Sequence, residues 1–244
     1  MTYRKLSRGQ RAQIWIGGPG LPTPELLFET DEMLVEAPNW SVDGASLLVN
    51  GDGRLWRLDV DSPERGLAPV GFNGLPEINN DHVLDPDGEH IYMSATDGHI
   101  YRGSLHGGAL NARTAERVSH EEGQWHFLHG VSPDGSRLAY VQMNDFANPG
   151  KLAVMEPHGP SVVVDTGEGH IDGPEWSPDG RWIYFNTEGF TDTPVTCPAR
   201  PHPRRGRRRR TPCHQPHGRL VPAPVPGRAM GLVHRLSCRH SRAP

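Results

Sequence analysis

Three short strings gather most of the side chains that could ligate a metal or move a proton: Asn79-Asn80-Asp81-His82, His126-Phe127-Leu128-His129 and His170-Ile171-Asp172. Neutral imidazoles with Asp or Asn suit a divalent transition metal, and an imidazole beside a carboxylate suits a base working next to an acidic sugar. Other chemistries leave no trace. The chain has no serine nucleophile elbow, phosphate loop or dinucleotide fingerprint, and Gly17-Gly18-Pro19-Gly20 reads as a loop between strands. The cysteines Cys197, Cys213 and Cys238 lie 16 and 25 residues apart with no Cys-x-x-Cys pair. A zinc site using them with His202, His214, His217, His234 or His240 is therefore a poor reading.

What must position the three strings is a repeat. Four segments align on a small turn: NWSVDGASLLVN, HVLDPDGEHIYMS, HGVSPDGSRLAYV and PEWSPDGRWIYFN. Their turn glycines, Gly44, Gly88, Gly135 and Gly180, are 44, 47 and 45 residues apart. Pro presets φ near about −65°, Asp tolerates the bridge region and Gly supplies positive φ. Each turn leads into an alternating strand such as His90-Ile91-Tyr92-Met93 or Trp182-Ile183-Tyr184-Phe185. A second strand follows at Arg54–Leu58, His99–Arg102 and Lys151–Met155, and the first two copies join it by tight hairpin turns.

A period near 45 residues with several short strands per unit predicts a β-propeller blade. An ordinary β-sandwich with coincidental turns is the alternative, and four near-equal steps argue against it. The expected fold is all-β, a propeller of four-stranded blades with about four blades represented and the ring incomplete, from a parent expected to have six. Gln13–Ile16 and Glu25–Phe28, ahead of the first turn, read as strands that complete a final blade. Trp40 and Trp176, each four residues before a turn glycine, read as rings wedged between blades.

On these residues the chain resembles the TolB-like propellers. SPDGSRLAYV and SPDGRWIYFN match that family's Ser-Pro-Asp-Gly repeat closely, and SVDGASLLVN and DPDGEHIYMS match it loosely. The resemblance covers about residues 12–190 and implies the fold rather than a function. Some propellers that cleave acidic oligosaccharides hold an axial metal through histidines, so the resemblance also carries that possibility.

In a propeller the first strand of each blade lines the axis. Counting six back from the turn glycines gives Pro38, His82, His129 and Pro174; counting eight back gives Glu36, Asn80, Phe127 and Asp172. The candidate ligand-binding rim is therefore Glu36, Asn80, Asp81, His82, His126, His129, His170 and Asp172, with His82 and His129 as candidate metal ligands. The competing reading is that His82 and His129 hydrogen-bond the backbone of neighbouring blades.

Composition splits the chain near residue 190. Gly (29) and Pro (24) make up more than a fifth of it, which excludes a helical bundle. All 29 acidic residues lie at or before Asp192, whereas residues 195–244 hold 12 of the 25 basic residues, every one an arginine. This tail reads as a basic nucleic-acid-binding extension, with six arginines within 204–210, or as GC-rich sequence translated out of frame. The second reading is preferred, because the composition interrupts a blade halfway through its strands. It implies that the tail is disordered and that nothing after Asn186 pairs with Gln13–Ile16.

The expected domains are an N-terminal extension over 1–11, propeller blades over 12–190 and an Arg/Pro-rich tail over 191–244. No run approaches the ~18 apolar residues of a membrane span, and the start lacks the apolar core of a signal peptide, so a cytoplasmic location is expected. The expected role is a binding or scaffold module for a protein or small ligand at the axial rim, needing no cofactor. The alternative is a metal-assisted lyase or hydrolase acting on an oligosaccharide. Nucleic acid is a partner only if the arginine tail is genuine.

Overall fold

The computed structural model describes residues 3–106 and 113–187 and the backbone of residues 231–238. Its architecture starts with the repeated turn. Ser132 Oγ donates to Asp134 Oδ1 at 2.6 Å and accepts the Arg137 N–H at 2.9 Å. The Gly135 N–H donates to Ser132 O, with the glycine at a φ of 73° that disfavours any side chain. Ser41 with Asp43, and Ser177 with Asp179, repeat the arrangement. The second copy has Asp85 in place of the serine, and Arg102 bridges Asp85 and Asp87, at 2.9 Å to each.

These turns join antiparallel strands into blades. The strands ahead of the repeats are β1 (Gln10–Gly17) and β2 (Glu25–Thr30). The first blade is β3 (Glu36–Trp40), β4 (Ser46–Gly51), β5 (Arg54–Asp59) and β6 (Ala68–Val70); the second is β7 (Ile78–Leu84), β8 (His90–Ala95), β9 (Ile100–Ser104) and β10 (Ala115–Arg117). The third is β11 (Trp125–Val131), β12 (Leu138–Met143), β13 (Lys151–Met155) and β14 (Val162–Val163). Then come β15 (Ile171–Trp176) and β16 (Ile183–Thr187), the two described strands of the fourth blade, and finally β17 (Gly231–Cys238). In every blade the strand before the turn is the innermost, and β3, β7, β11 and β15 pack side by side.

Blades hold together face to face. Leu47 and Val49 of β4 pack toward Ala12 and Ile14 of β1, while Leu48 packs toward Ile78, Ile91 and Met93 of the second blade. A strand covered on both faces is apolar along its length, and all six residues of β4 are buried. Tyr92 and Ile100 meet Leu128, Leu138 and Tyr140 between the second and third blades, and Val141 and Leu152 meet Ile171 between the third and fourth. Each such side chain contributes roughly 1.5–3 kcal/mol by leaving water. Trp176 is the expected wedge: it is buried, with the Arg137 guanidinium 5.6 Å from its ring. Gly130 permits that approach, since a Cβ there would lie 2.9 Å from Pro174 O and 3.2 Å from Trp176 Cδ1.

The strands ahead of the repeats pair with each other as expected. The expectation that no later segment pairs with Gln13–Ile16 is not met. The β17 backbone lies antiparallel along β1, from Gln10 opposite Cys238 to Gly17 opposite Gly231. This register puts Leu232 and Leu236 opposite Ile16 and Ala12. The expected disorder of the tail, its nucleic-acid-binding arginines at 204–210, and Cys197 and Cys213 lie outside the described residues. Among the described residues, no helix is long and apolar enough to cross a membrane.

Candidate functional site

A cavity of about 340 Å³ opens where the inner strands converge, capped by the segment around Tyr3 and Arg4. What shapes it is a bulge in every inner strand. In β3 the register slips between Glu36 and Asn39, in β7 between Ile78 and His82, in β11 between Leu128 and Gly130, and in β15 between Asp172 and Glu175. In β7 and β11 the residues released from the ladder line the cavity, and in β3 and β15 the residues at the edge of the slip, Glu36 and Asp172, do so. The cavity-lining side chains Glu36, Asn79, Asn80, Asp81, His129 and Asp172 lie at or beside these slips.

Asp81, His129 and Asp172 bring three successive blades together. His129 Nε2 is 3.2 Å from Asp172 Oδ1. Asp81 is buried; its N–H donates to Asn79 Oδ1 at 2.8 Å, and Asn79 Nδ2 donates back to Asp81 Oδ2 at 2.9 Å. Burial pushes the Asp81 carboxyl up to about 6; the positive charge of His129 opposes the shift, and the Asp172 carboxylate adds to it. Burial alone would lower His129, but its bond to Asp172 and the charges of Asp81, Asp172 and Glu175 prevail and raise it. Asp172 is held below the carboxylate range by its bond to His129. Glu175, further along β15, is raised by burial. At the opposite wall Arg4 Nη2 reaches Glu36 Oε1 at 2.6 Å.

Six of the eight rim residues expected from the repeat line this cavity: Glu36, Asn80, Asp81, His129, His170 and Asp172. His170 is fixed by the Gly150 N–H, which donates to its Nδ1 at 2.9 Å. The other two fall elsewhere, and strand parity explains both. His126 alternates with Phe127 along β11 and turns away from the axis into the junction with the second blade. There its Nδ1 is 2.7 Å from Gly98 O and its Nε2 is 3.3 Å from Glu121. His82 follows the bulge in β7, whereas His129 is the extra residue of the bulge in β11. Equal counts back from the turn glycine therefore land on opposite faces.

His82 is buried between the first and second blades, its Nε2 3.3 Å from Leu48 O, and Asn39 donates to its backbone carbonyl. Burial holds its imidazole down at about 4. The structure thus does not bring His82 and His129 together as metal ligands; His82 bonds the neighbouring blade. The one group of three close metal-ligating side chains among the described residues is Asp85, Asp87 and His90, where Arg102 already bridges the two carboxylates.

The repeat gave no sign of Arg4 and Tyr3, which come from the N-terminal segment, or of Asn50, Val141 and Met143, which come from second strands. Asn50 had one available signal: it is a polar residue ending an apolar run, opposite Glu36.

Comparison with known proteins agrees with the blades. No family model matches the chain. An uncharacterised protein of Agrobacterium fabrum is 36% identical over 171 residues, covering 66% of this chain and 53% of that protein. A solved structure from Agrobacterium tumefaciens, provisionally assigned as TolB, is 33% identical over 73% of this chain and 62% of that one, with a TM-score of 0.62. The oligogalacturonate lyase of Vibrio parahaemolyticus shares the fold at 12% identity and a TM-score of 0.52, covering 76% of this chain and 56% of that one. The chain therefore spans between half and two thirds of the length of these relatives.

Proposed function

We propose that this chain, whose blades are similar to the TolB-like structure from Agrobacterium tumefaciens, is a binding module whose axial cavity takes a small polar ligand or a projecting segment of a partner protein. One observation carries this reading. Four blades and the N-terminal segment place Asp81, His129, Asp172 and the Arg4–Glu36 pair around one cavity, beside an apolar wall of Phe127, Val141 and Met143. Polar groups that fix orientation beside an apolar wall are the usual make-up of a ligand pocket. The reading asks for no bond to be made or broken.

The test is a thermal-shift screen of small sugars, sugar acids, amines and short peptides against the full chain and against Asp81→Ala and His129→Ala. A binding module shows a shift of a few degrees with some class of compound, reduced in both variants. No shift with any class, or a shift that both variants retain, overturns it.

A lyase or hydrolase acting on an oligosaccharide is the second reading, favoured by the juxtaposition of a carboxyl near pH 6 with the His129–Asp172 pair. Its metal-assisted form lacks the His82 ligand. Turnover of oligogalacturonide by the purified chain, lost in His129→Ala, would support it; no turnover with or without added manganese would remove it.

A further inference from the structure

Resting on the binding reading above, we propose that the axial cavity takes an organic ammonium ion carrying a short apolar body. The argument is one of charge and hydrogen-bond accounting. Three carboxylates line the cavity, Glu36, Asp81 and Asp172. Arg4 reaches Glu36 at 2.6 Å, and His129 reaches Asp172 at 3.2 Å. Asp81 is the carboxylate with no salt bridge of its own among the described residues, and the charges of His129 and Arg4 act on it only without direct contact. It is 8% exposed, and its only side-chain donor among the described residues is the neutral amide of Asn79.

A second and independent acceptor points the same way. Asn50, 2% exposed and lining the same cavity, carries a buried Oδ1 with no hydrogen-bond partner among the described residues. A buried acceptor without a donor is costly, and a buried carboxylate with no ion-pair partner in contact is more so. One ligand relieves both if it brings a positive charge and several N–H donors. A primary or secondary ammonium does so; a hydroxyl brings no charge, and a carboxylate would add a fourth negative group.

The remaining wall sets the rest of the ligand. Phe127, Val141 and Met143 form the apolar side of the cavity. A cation gains from the face of an aromatic ring, and an apolar body gains from leaving water. The volume of about 340 Å³ suits a body of one ring or a short alkyl chain rather than a polymer. A bare divalent cation would use neither the apolar wall nor a row of N–H donors.

Binding should also depend on pH through the groups facing Asp81: Asn79 on its own strand, Arg4 on the N-terminal segment, His129 on β11 and Asp172 on β15. The ammonium needs Asp81 ionised, so affinity rises as pH passes from 5 through about 6.

The test compares three matched probes on the full chain: phenethylammonium, phenethyl alcohol and 3-phenylpropionate, by saturation-transfer NMR with competition. The expected result is that the ammonium binds at least about tenfold more tightly than the alcohol and that the carboxylate does not bind. Asp81→Asn should remove that preference, and Asp172→Asn, whose carboxylate is more exposed, should weaken it; Asp87→Asn, outside the cavity, should leave it intact. Preference for the alcohol or carboxylate probe, lost in His129→Ala, would overturn the ammonium inference while the binding reading stands. A preference for ammonium that survives both Asp81→Asn and Asp172→Asn would overturn it as well. If none of the three probes binds, and no compound class shifts the melting temperature, the binding reading itself falls.

Discussion

His129 Nε2 sits 3.2 Å from Asp172 Oδ1, so the third and fourth blades meet at the cavity through an ion pair. The pair makes opposite demands on pH. A raised imidazole adds stability that is complete below about 6.5 and fades as pH climbs past the pKa of folded His129; the lowered Asp172 adds stability that is complete above about 3.9 and is lost as acid protonates it. Asp172→Asn should therefore lower the His129 pKa seen by NMR titration and cost under about 1 kcal/mol, since Asp172 is well exposed. An unchanged titration of His129 would show that the pair does not form in solution.

Asp81 should be a residue that the fold tolerates rather than needs. Its carboxyl is raised to about 6, so the folded state disfavours its ionised form. The penalty is absent below about pH 4, grows between 4 and 6 and is complete above. Asp81→Asn is expected to stabilise the chain by about 1–2 kcal/mol at pH 7.5 and to change little at pH 4.5. Denaturant melts at the two pH values measure this, and a variant destabilised at pH 7.5 would refute it.

His82 gives the molecule an acid-sensitive seam. Its imidazole is held at about 4 by burial between blades, so the unfolded chain takes up the proton first. The stability at stake is intact above about 6.5 and drains away as pH falls toward 4, by up to about 3 kcal/mol. His82→Gln should flatten the dependence of stability on pH across that window. Parallel slopes for the two proteins would remove His82 as the cause.

Gly130→Ala tests the contact of the third and fourth blades. The new methyl would meet Pro174 O at 2.9 Å, a backbone atom that cannot swing aside. A loss of about 1–3 kcal/mol is expected, with Trp176 fluorescence reporting a loosened junction. An unaltered melting curve and emission would mean that the blades close with room to spare.

The blades were legible in the sequence because each rests on local rules. Ser132, Asp134 and Gly135 build a turn within four consecutive residues, and the apolar run of β4 reports a strand covered on both faces. The site was legible as a zone and not as a residue list. Counting back from Gly88 and Gly135 finds the right end of β7 and β11, but the bulge of β7 holds two extra residues and that of β11 only one, so equal counts join different faces. No residue type marks that difference, so His82 and His129 look equivalent in the sequence and lie on different faces. Arg4 was invisible for another reason: its partnership with Glu36 spans unrelated segments and follows no period.

The bulges also separate two jobs that strands usually combine. Side chains on the regular part of each inner strand lock one blade against the next, whereas those at the slips at Ala37–Pro38, Asn79–Asp81, His129 and Gly173–Pro174 lie where the ladder has let go. Variation there can change what the axis recognises without disturbing the registers that hold the sheets. A library randomised at Asn79, Asn80, Asp81 and His129 alone should keep its folded fraction high while its ligand preferences diverge, which makes this arc of blades a natural starting frame for engineered receptors.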